Sequence, residues 1–369
     1  MKHIFCLLFA LLLVGCATTE GVASFQSGSD TGTLLESERR VWHEANEADV
    51  EIERSGQVYD QPRLTAYVQG VMDRLYPEFK GKINVRIYDS TDLNAFAMFN
   101  GSVYVNVGIL ARIENEAQLA ALLGHEATHF TEKHNFLQRV STKNAAAFSS
   151  TGIPFSSLAA VSSISGFSRD HEREADAKGY ERMVKAGYDP REAHKVFQHL
   201  ADEVKVLDIK EPYFFSSHPQ LTERIDEYKR LAANHTGGGR IDAEHYNSIM
   251  GPVRLDALRK DIGQNRYQSV ILVMEDSRMN RFYPAASHFY LGEAYLRRDE
   301  KNDEKKALDA YKAAEKLAPK FAPTYMRLGM HYMKAGNKAS ARRYFQQYLS
   351  LAPKDATDRS YVQQYLNSL

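Results

Sequence analysis

The chain has 369 residues with 47 basic and 47 acidic side chains, so no basic excess points to a nucleic-acid partner. Its two cysteines are Cys6 and Cys16, and Cys6 lies in a segment expected to be cleaved off, which excludes an internal disulfide. The length suffices for two domains, whose stability must come from apolar cores.

The N-terminus reads as a lipoprotein signal peptide over residues 1–15. Lys2 and His3 precede an apolar run from Ile4 to Val14 that is too short for a typical membrane span, and Leu13-Val14-Gly15-Cys16 fits a lipobox. Acylation is expected on Cys16, and several acyl chains on one residue anchor a protein stably. The alternative is an ordinary signal peptide with a chance cysteine. Ala17 after the cysteine resembles the outer-membrane sorting pattern of Gram-negative lipoproteins, so the expected location is the periplasm, tethered to the outer membrane. Residues 16–35, rich in Ser, Gly and Thr, read as a flexible lipidated tether.

From Glu36 to about Glu78 the pattern is helical, with Tyr67, Val68, Val71, Met72 and Leu75 at helical spacing. Ile83, Val85 and Ile87 alternate with polar neighbours, as a half-buried strand requires, and Asn100-Gly101 between apolar runs signals a hairpin. The run Val103 to Val107 is the expected second strand of that hairpin.

The most informative stretch is His125-Glu126-Ala127-Thr128-His129. Asn115 with Gln118 three residues on predicts a capped helix start, and Leu119, Leu122, Leu123 and Phe130 predict an apolar stripe with the histidines half-buried at its edge. On a helix, imidazoles four residues apart share a face and bind one Zn²⁺, while Glu126 reaches a water in the open metal position. A pair of satisfied core histidines would leave a similar trace. Further on, Glu172 and Asp176 again stand four apart. Glu172 would complete a two-His, one-Glu site, and Asp176 would accept a hydrogen bond from the far nitrogen of a ligating histidine. The bland reading of that second stretch is a solvated helix face. Between the two, the Ser/Ala-rich segment Asn144 to Gly166 suits a mobile lid or an ordinary helical hairpin equally, and its serines and Gly152-Ile153-Pro154 argue against a membrane span.

Together with Asn94-Ala95-Phe96-Ala97 and Gly101-Ser102-Val103-Tyr104-Val105, these motifs resemble the HtpX and CAAX prenyl endopeptidase family of gluzincin metallopeptidases, in its soluble periplasmic branch with tetratricopeptide repeats. The resemblance covers roughly residues 36–235. It implies one Zn²⁺ on His125, His129 and Glu172, Glu126 as general base, and Asp176 behind the ligands. Zinc peptidases commonly bind an extended substrate as an extra strand on a sheet edge, and the run Val103 to Val107 is the candidate edge. Ser217-His218-Pro219 and Arg224 are similar to a segment that sits over the zinc in that family, which implies catalytic roles for both side chains. His218 would approach the metal or the reacting carbonyl, and Arg224 would hold substrate or the developing oxyanion. The alternative is a loop feeding a helix from Thr222 to Ala233. With Cys16 committed to lipid and no Gly-x-Ser-x-Gly elbow, no nucleophilic side chain is expected.

Gly237-Gly238-Gly239 marks a linker, residues 236–242. Beyond it Ala307, Tyr311 and Pro319 recur as Ala341, Phe345 and Pro353 at the tetratricopeptide period, and residues 254–277 read as a degenerate earlier repeat. Leu291-Gly292 and Leu328-Gly329 recur at a longer spacing, which puts an insertion between Asp299 and Lys306. Tyr290, Tyr295, Tyr325 and Tyr332 are expected in the core. The predicted architecture is α+β and mainly helical, a metallopeptidase domain with a small sheet followed by an α-solenoid over residues 243–369. The functional reading is a zinc endopeptidase of the bacterial cell envelope in quality control of outer-membrane or periplasmic proteins. Its partners would be unfolded or misassembled envelope proteins and, through the repeats, the outer-membrane assembly machinery. The rivals are a periplasmic chaperone or adaptor with latent peptidase activity, and a hydrolase of cell-wall peptide.

Overall fold

In a computed structural model of the chain, the structure describes residues 22–26, 28–29, 31–146, 167–207, 218 and 221–369. The signal peptide, Cys16, Ser217, Pro219 and most of the segment 144–166 lie outside the described residues. No helix among the described residues is long and apolar enough to cross a membrane.

Two helices, α1 (Glu36–Arg54) and α2 (Pro62–Leu75), lead into a three-stranded sheet of β1 (Asn84–Tyr88), β2 (Ala95–Ala97) and β3 (Ser102–Asn106). The strand order is β1-β3-β2; β1 runs parallel to β3 with Val85 opposite Val103, and β2 runs antiparallel with Phe96 opposite Tyr104. The predicted hairpin is therefore present, but its second strand corrects the substrate-edge expectation for Val103 to Val107. β3 is central and wholly buried, with both of its sides hydrogen-bonded, so no chain can add to it. The outer side of β1 is also covered, by Tyr59 N–H on the Ile87 carbonyl at 2.9 Å and Asp89 N–H on the Gln57 carbonyl at 2.8 Å. Among the described residues that leaves β2, the strand packed on the metal-motif helix, as the sheet's edge with no strand beside it, although Asn135 Nδ2 donates to its Ala97 carbonyl at 2.9 Å.

The helices α3 (Val107–Arg112), α4 (Glu116–Thr131), α5 (His134–Ala146), α6 (Arg169–Lys185), α7 (Ala193–Leu207) and α8 (Leu221–Ala233) complete this half. Asn115 caps α4 as expected, its side chain accepting from Gln118 N–H at 2.9 Å, while Gln118 reaches back to Glu114 N–H at 3.0 Å. The stripe expected on α4 is absent because every one of its residues is buried. Several elements pack around the helix, so the histidines sit in the interior and not at an edge.

The chain then continues through α9 (Ala243–Gly263), α10 (Tyr267–Glu275) and the short α11 (Ser277–Asn280) to the repeat pairs α12 (Ser287–Arg298) with α13 (Asp303–Leu317) and α14 (Ala322–Lys334) with α15 (Lys338–Leu351), ending in α16 (Arg359–Ser368). The stretch read as a degenerate repeat, residues 254–277, covers the second half of α9 and all of α10. In both later pairs the second helix lays an aromatic ring on a glycine of the first. A Cβ at Gly292 would stand 2.4 Å from Tyr311 and one at Gly329 would stand 2.5 Å from Phe345, which is why Leu-Gly recurs. Tyr295 and Tyr325 are buried in that core, with Tyr290 and Tyr332 packed against it.

The two halves share α9. Tyr246, Met250, Val253 and Ala257 belong to the core that contains the sheet and α4, whereas Leu258 and Ile262 open the core of the repeats. Arg254 is fully buried and donates to the carbonyls of Ala111 at 3.2 Å, Ile113 at 2.8 Å and Phe282 at 2.9 Å. Beside it Arg112 pairs with Glu203 at 2.9 Å and Asp261 at 3.5 Å, and burial pushes the Asp261 carboxyl up to about 6 despite Arg112 and Arg266. The glycine run expected as a linker is likewise held. Gly239 leaves no room for a Cβ, which would stand 2.3 Å from Asp189 N, and Arg240 N–H bonds the Gly187 carbonyl at 2.8 Å.

The stretch expected as a flexible tether also ends before residue 35. Phe25 is buried against Phe130, ring centroids 4.8 Å apart, and its N–H bonds the Thr131 carbonyl at 2.8 Å. One aromatic side chain removed from water stabilises such a seat by about 1.5–3 kcal/mol, enough to fix a short polar segment.

Candidate metal centre

Two helices that are distant in sequence make the centre. α4 and α6 cross at Gly124 and Gly179, where a Cβ on Gly124 would stand 2.9 Å from the Gly179 carbonyl oxygen and one on Gly179 only 2.8 Å from His125 N. No other residue permits this approach, and it places the first motif one residue from the crossing. Ser168 caps α6 by accepting from His171 N–H at 3.2 Å. From the crossing, His125 and His129 on α4 and Glu172 on α6 converge. His218, three residues before α8, completes a buried four-residue group whose ligand atoms all lie within 4.8 Å of one another.

The spacings fit a small tetrahedral cation. Zinc bonds of about 2.0–2.1 Å put ligand atoms about 3.4 Å apart. Here His125 Nε2 lies 3.0 Å from His129 Nε2 and 3.7 Å from Glu172 Oε2, and His129 Nε2 lies 3.5 Å from Glu172 Oε1. His218 Nδ1 lies 3.2 Å from His125 Nε2 and 2.9 Å from Glu172 Oε1. Four buried donor atoms at this range would be poorly tolerated without a cation or shared protons, because each imidazole presents a lone pair to the same small space. Burial, followed by its imidazole neighbours, holds His129 well below the ordinary histidine range, so it is neutral and able to bind. Burial also works against a charged Glu172, but His218 and Arg224 outweigh it and keep the carboxylate ionised.

Glu126 is fully buried, and neither of its carboxylate oxygens has a hydrogen-bond partner among the described residues. One of them lies 3.7 Å from His218 Nε2. An unpartnered buried carboxylate costs several kcal/mol unless something polar occupies the space before it, and a metal-bound water is such a group.

Behind the ligands the polar contacts are dense. Asp176 meets His125 Nδ1 at 2.9 Å, so the carboxylate does face the far nitrogen of a ligating histidine. Arg224 grips Asp176 with Nε at 2.9 Å and Nη2 at 2.7 Å, reaches Glu172 at 3.1 Å and lies over the Phe197 ring at 4.1 Å. Tyr228 adds a third donor to Asp176 at 3.0 Å. Burial opposes the Asp176 charge, yet Arg224 and His125 carry the carboxyl far below its ordinary range. The guanidinium expected over substrate is thus engaged on two carboxylates of the site. Residues that the motifs did not reveal are Phe197, Tyr228 and the glycine pair. A glycine inside each motif helix, at Gly124 and Gly179, was the only signal.

The fold and this site define a metallopeptidase domain joined to a helical repeat array. Residues 59–232 match peptidase family M48, residues 322–355 match a tetratricopeptide repeat, and the chain carries an M48 domain followed by C-terminal repeats. It is 26% identical over 196 residues to a beta-barrel assembly-enhancing protease of Yersinia pestis, a stretch covering 47% of this chain and 40% of that one. It is 26% identical over 246 residues to Metalloprotease YcaL of Escherichia coli (strain K12), covering 61% and 94%. Over 174 residues it is 32% identical to the mitochondrial metalloendopeptidase OMA1 of Schizosaccharomyces pombe, covering 44% and 51%. The chain spans about half or less of the curated barrel-assembly relatives it matches, 40% and 52% of those from Y. pestis and E. coli.

Proposed function

We propose that the chain is a zinc-dependent endopeptidase of the bacterial cell envelope that degrades unfolded or misassembled outer-membrane and periplasmic proteins. The observation that carries the reading is Glu126, a buried carboxylate with no hydrogen-bond partner among the described residues, beside a donor set of zinc dimensions. His125, His129 and Glu172 would hold the ion. Zinc, when bound, supplies Lewis acidity toward a scissile carbonyl and its attacking water. Glu126 takes the proton from that water and returns it to the leaving amine. Asp176 fixes the tautomer of His125, and Arg224 with Tyr228 holds Asp176 and Glu172 in place. In this reading Arg224 positions ligands and does not touch substrate. An extended substrate adds to β2, the sheet edge beside α4. Cleavage of casein by the purified protein, abolished by chelation and restored by zinc, tests the activity.

The names of the barrel-assembly relatives and the repeats support protein clients and an envelope location. The lipobox supports anchoring through Cys16 to the outer membrane. In cells, Cys16→Ala should abolish labelling by radioactive palmitate, and persistent labelling of the variant would refute the anchor.

One observation favours a latent resting state. His218 Nδ1 faces the ligand set at bonding dimensions, so its imidazole occupies the position that water or substrate needs. If nine-tenths of the molecules rest in that state, His218→Ala should raise basal casein cleavage about tenfold. A role for His218 at the oxyanion predicts the reverse, a loss of about 100-fold with zinc retained. The sign of the change separates the two.

A further inference from the structure

One ligating histidine is fixed by a carboxylate, and the other is fixed differently. His125 gives its Nδ1 to Asp176 directly. His129 Nδ1 instead lies 3.0 Å from Nδ1 of His134, a wholly buried side chain five residues on. The chain turns between them at Lys133, whose φ of 56° is left-handed, and this reversal brings the first residue of α5 back over α4. The other nitrogen of His134, Nε2, lies 3.2 Å from Glu174 Oε2, and its ring stacks on His171 with centroids 4.4 Å apart. Glu174 in turn pairs with Lys178 at 2.7 Å, and Lys178 with Glu132 at 2.8 Å.

Only one arrangement of protons satisfies these contacts when His129 Nε2 serves a metal. The His129 proton then sits on Nδ1 and is donated to the Nδ1 lone pair of His134. His134 must carry its own proton on Nε2, which it donates to the Glu174 carboxylate. Both tautomers are fixed, and no donor faces a donor. We propose that His134 is a positioning residue that sets the tautomer and tilt of His129 through an imidazole relay ending on Glu174. The inference rests on the reading of the centre as a zinc site.

Substitutions at His134 separate positioning from packing. In the full-length protein, the zinc dissociation constant is measured by chelator competition, and the melting temperature of the zinc-free form reports folding. His134→Ala should weaken zinc by about 10- to 100-fold, the usual cost of losing a partner behind a ligand. His134→Asn places an acceptor oxygen where Nδ1 was and should recover most of that loss. His134→Phe keeps the ring and its stacking on His171 but has no acceptor, so it should be as weak as alanine. Wild-type affinity in the phenylalanine variant, or no recovery with asparagine, would mean that the ring only fills space and would overturn the relay. Should these variants not fold, Glu174→Ala tests the outer link on a side chain that is 42% exposed. A severalfold weaker affinity supports the relay and an unchanged one overturns it. A wild-type protein that binds no zinc overturns the metal reading itself and the relay with it, whereas normal wild-type binding with indifferent variants overturns the relay alone.

Discussion

Cutting the chain after Gly239 should unfold the peptidase half instead of releasing it. The cut removes α9, whose Tyr246, Met250, Val253 and Ala257 lie in the same core as α4. The three larger side chains each contribute about 1.5–3 kcal/mol by burial. The cut also strips partners from backbone carbonyls, since Tyr246 Oη bonds Leu110 at 2.7 Å, Asn247 bonds Glu114 at 2.9 Å and Arg254 bonds Ala111 and Ile113. Each carbonyl left buried and unpaired costs a further 1–3 kcal/mol or so. The sum matches or exceeds the roughly 5–15 kcal/mol by which domains are stable. A cut after Asn265 keeps α9 whole and retains all of these contacts. Circular dichroism should therefore show a cooperative melt for the longer fragment and none for the shorter. A stable fragment ending at Gly239 would mean that α9 is dispensable and that the glycine run is a true boundary.

Zinc content should divide the variants of the centre into two groups. His129→Ala and Glu172→Ala each remove one of the three proposed ligands of an interior site, so zinc should fall from about one per chain to near none, and casein cleavage should fall by about 100-fold or more. Arg224→Met removes the cation that offsets two buried carboxylates and should weaken zinc as well, because Asp176 and Glu172 lose their common partner. Were Arg224 instead to act on substrate, the variant would keep its zinc and lose only turnover. Atomic absorption on the dialysed proteins distinguishes the outcomes.

Much of this was legible in the sequence because the signals were local. The spacing of His125 and His129, the Asn115 cap and the pair Glu172 and Asp176 each lie within about a turn of chain, the repeat is visible as a recurring pattern, and the structure brings His125, His129 and Glu172 together. What was illegible depends on contacts between distant segments. Complete burial of α4 follows from packing by the sheet, α2 and α6 on different sides, which a stripe on one helix cannot report. The centrality of β3 follows from β1 returning parallel to it, and an Asn-Gly turn says nothing about a third strand. The polar tether carried one phenylalanine, and Phe25 finds its seat on Phe130 across more than a hundred residues. The glycine run looked like a boundary by composition, yet close approach to Asp189, and not flexibility, is what requires Gly239.

The central claim is that Glu126 is the general base of a zinc peptidase and not one of its ligands. It is tested most directly by zinc stoichiometry and casein cleavage measured together on wild type and Glu126→Gln. The account predicts about one zinc per chain in both proteins, with cleavage lower by about 100-fold or more in the variant. Loss of zinc from the variant, or undiminished cleavage with zinc retained, would contradict it.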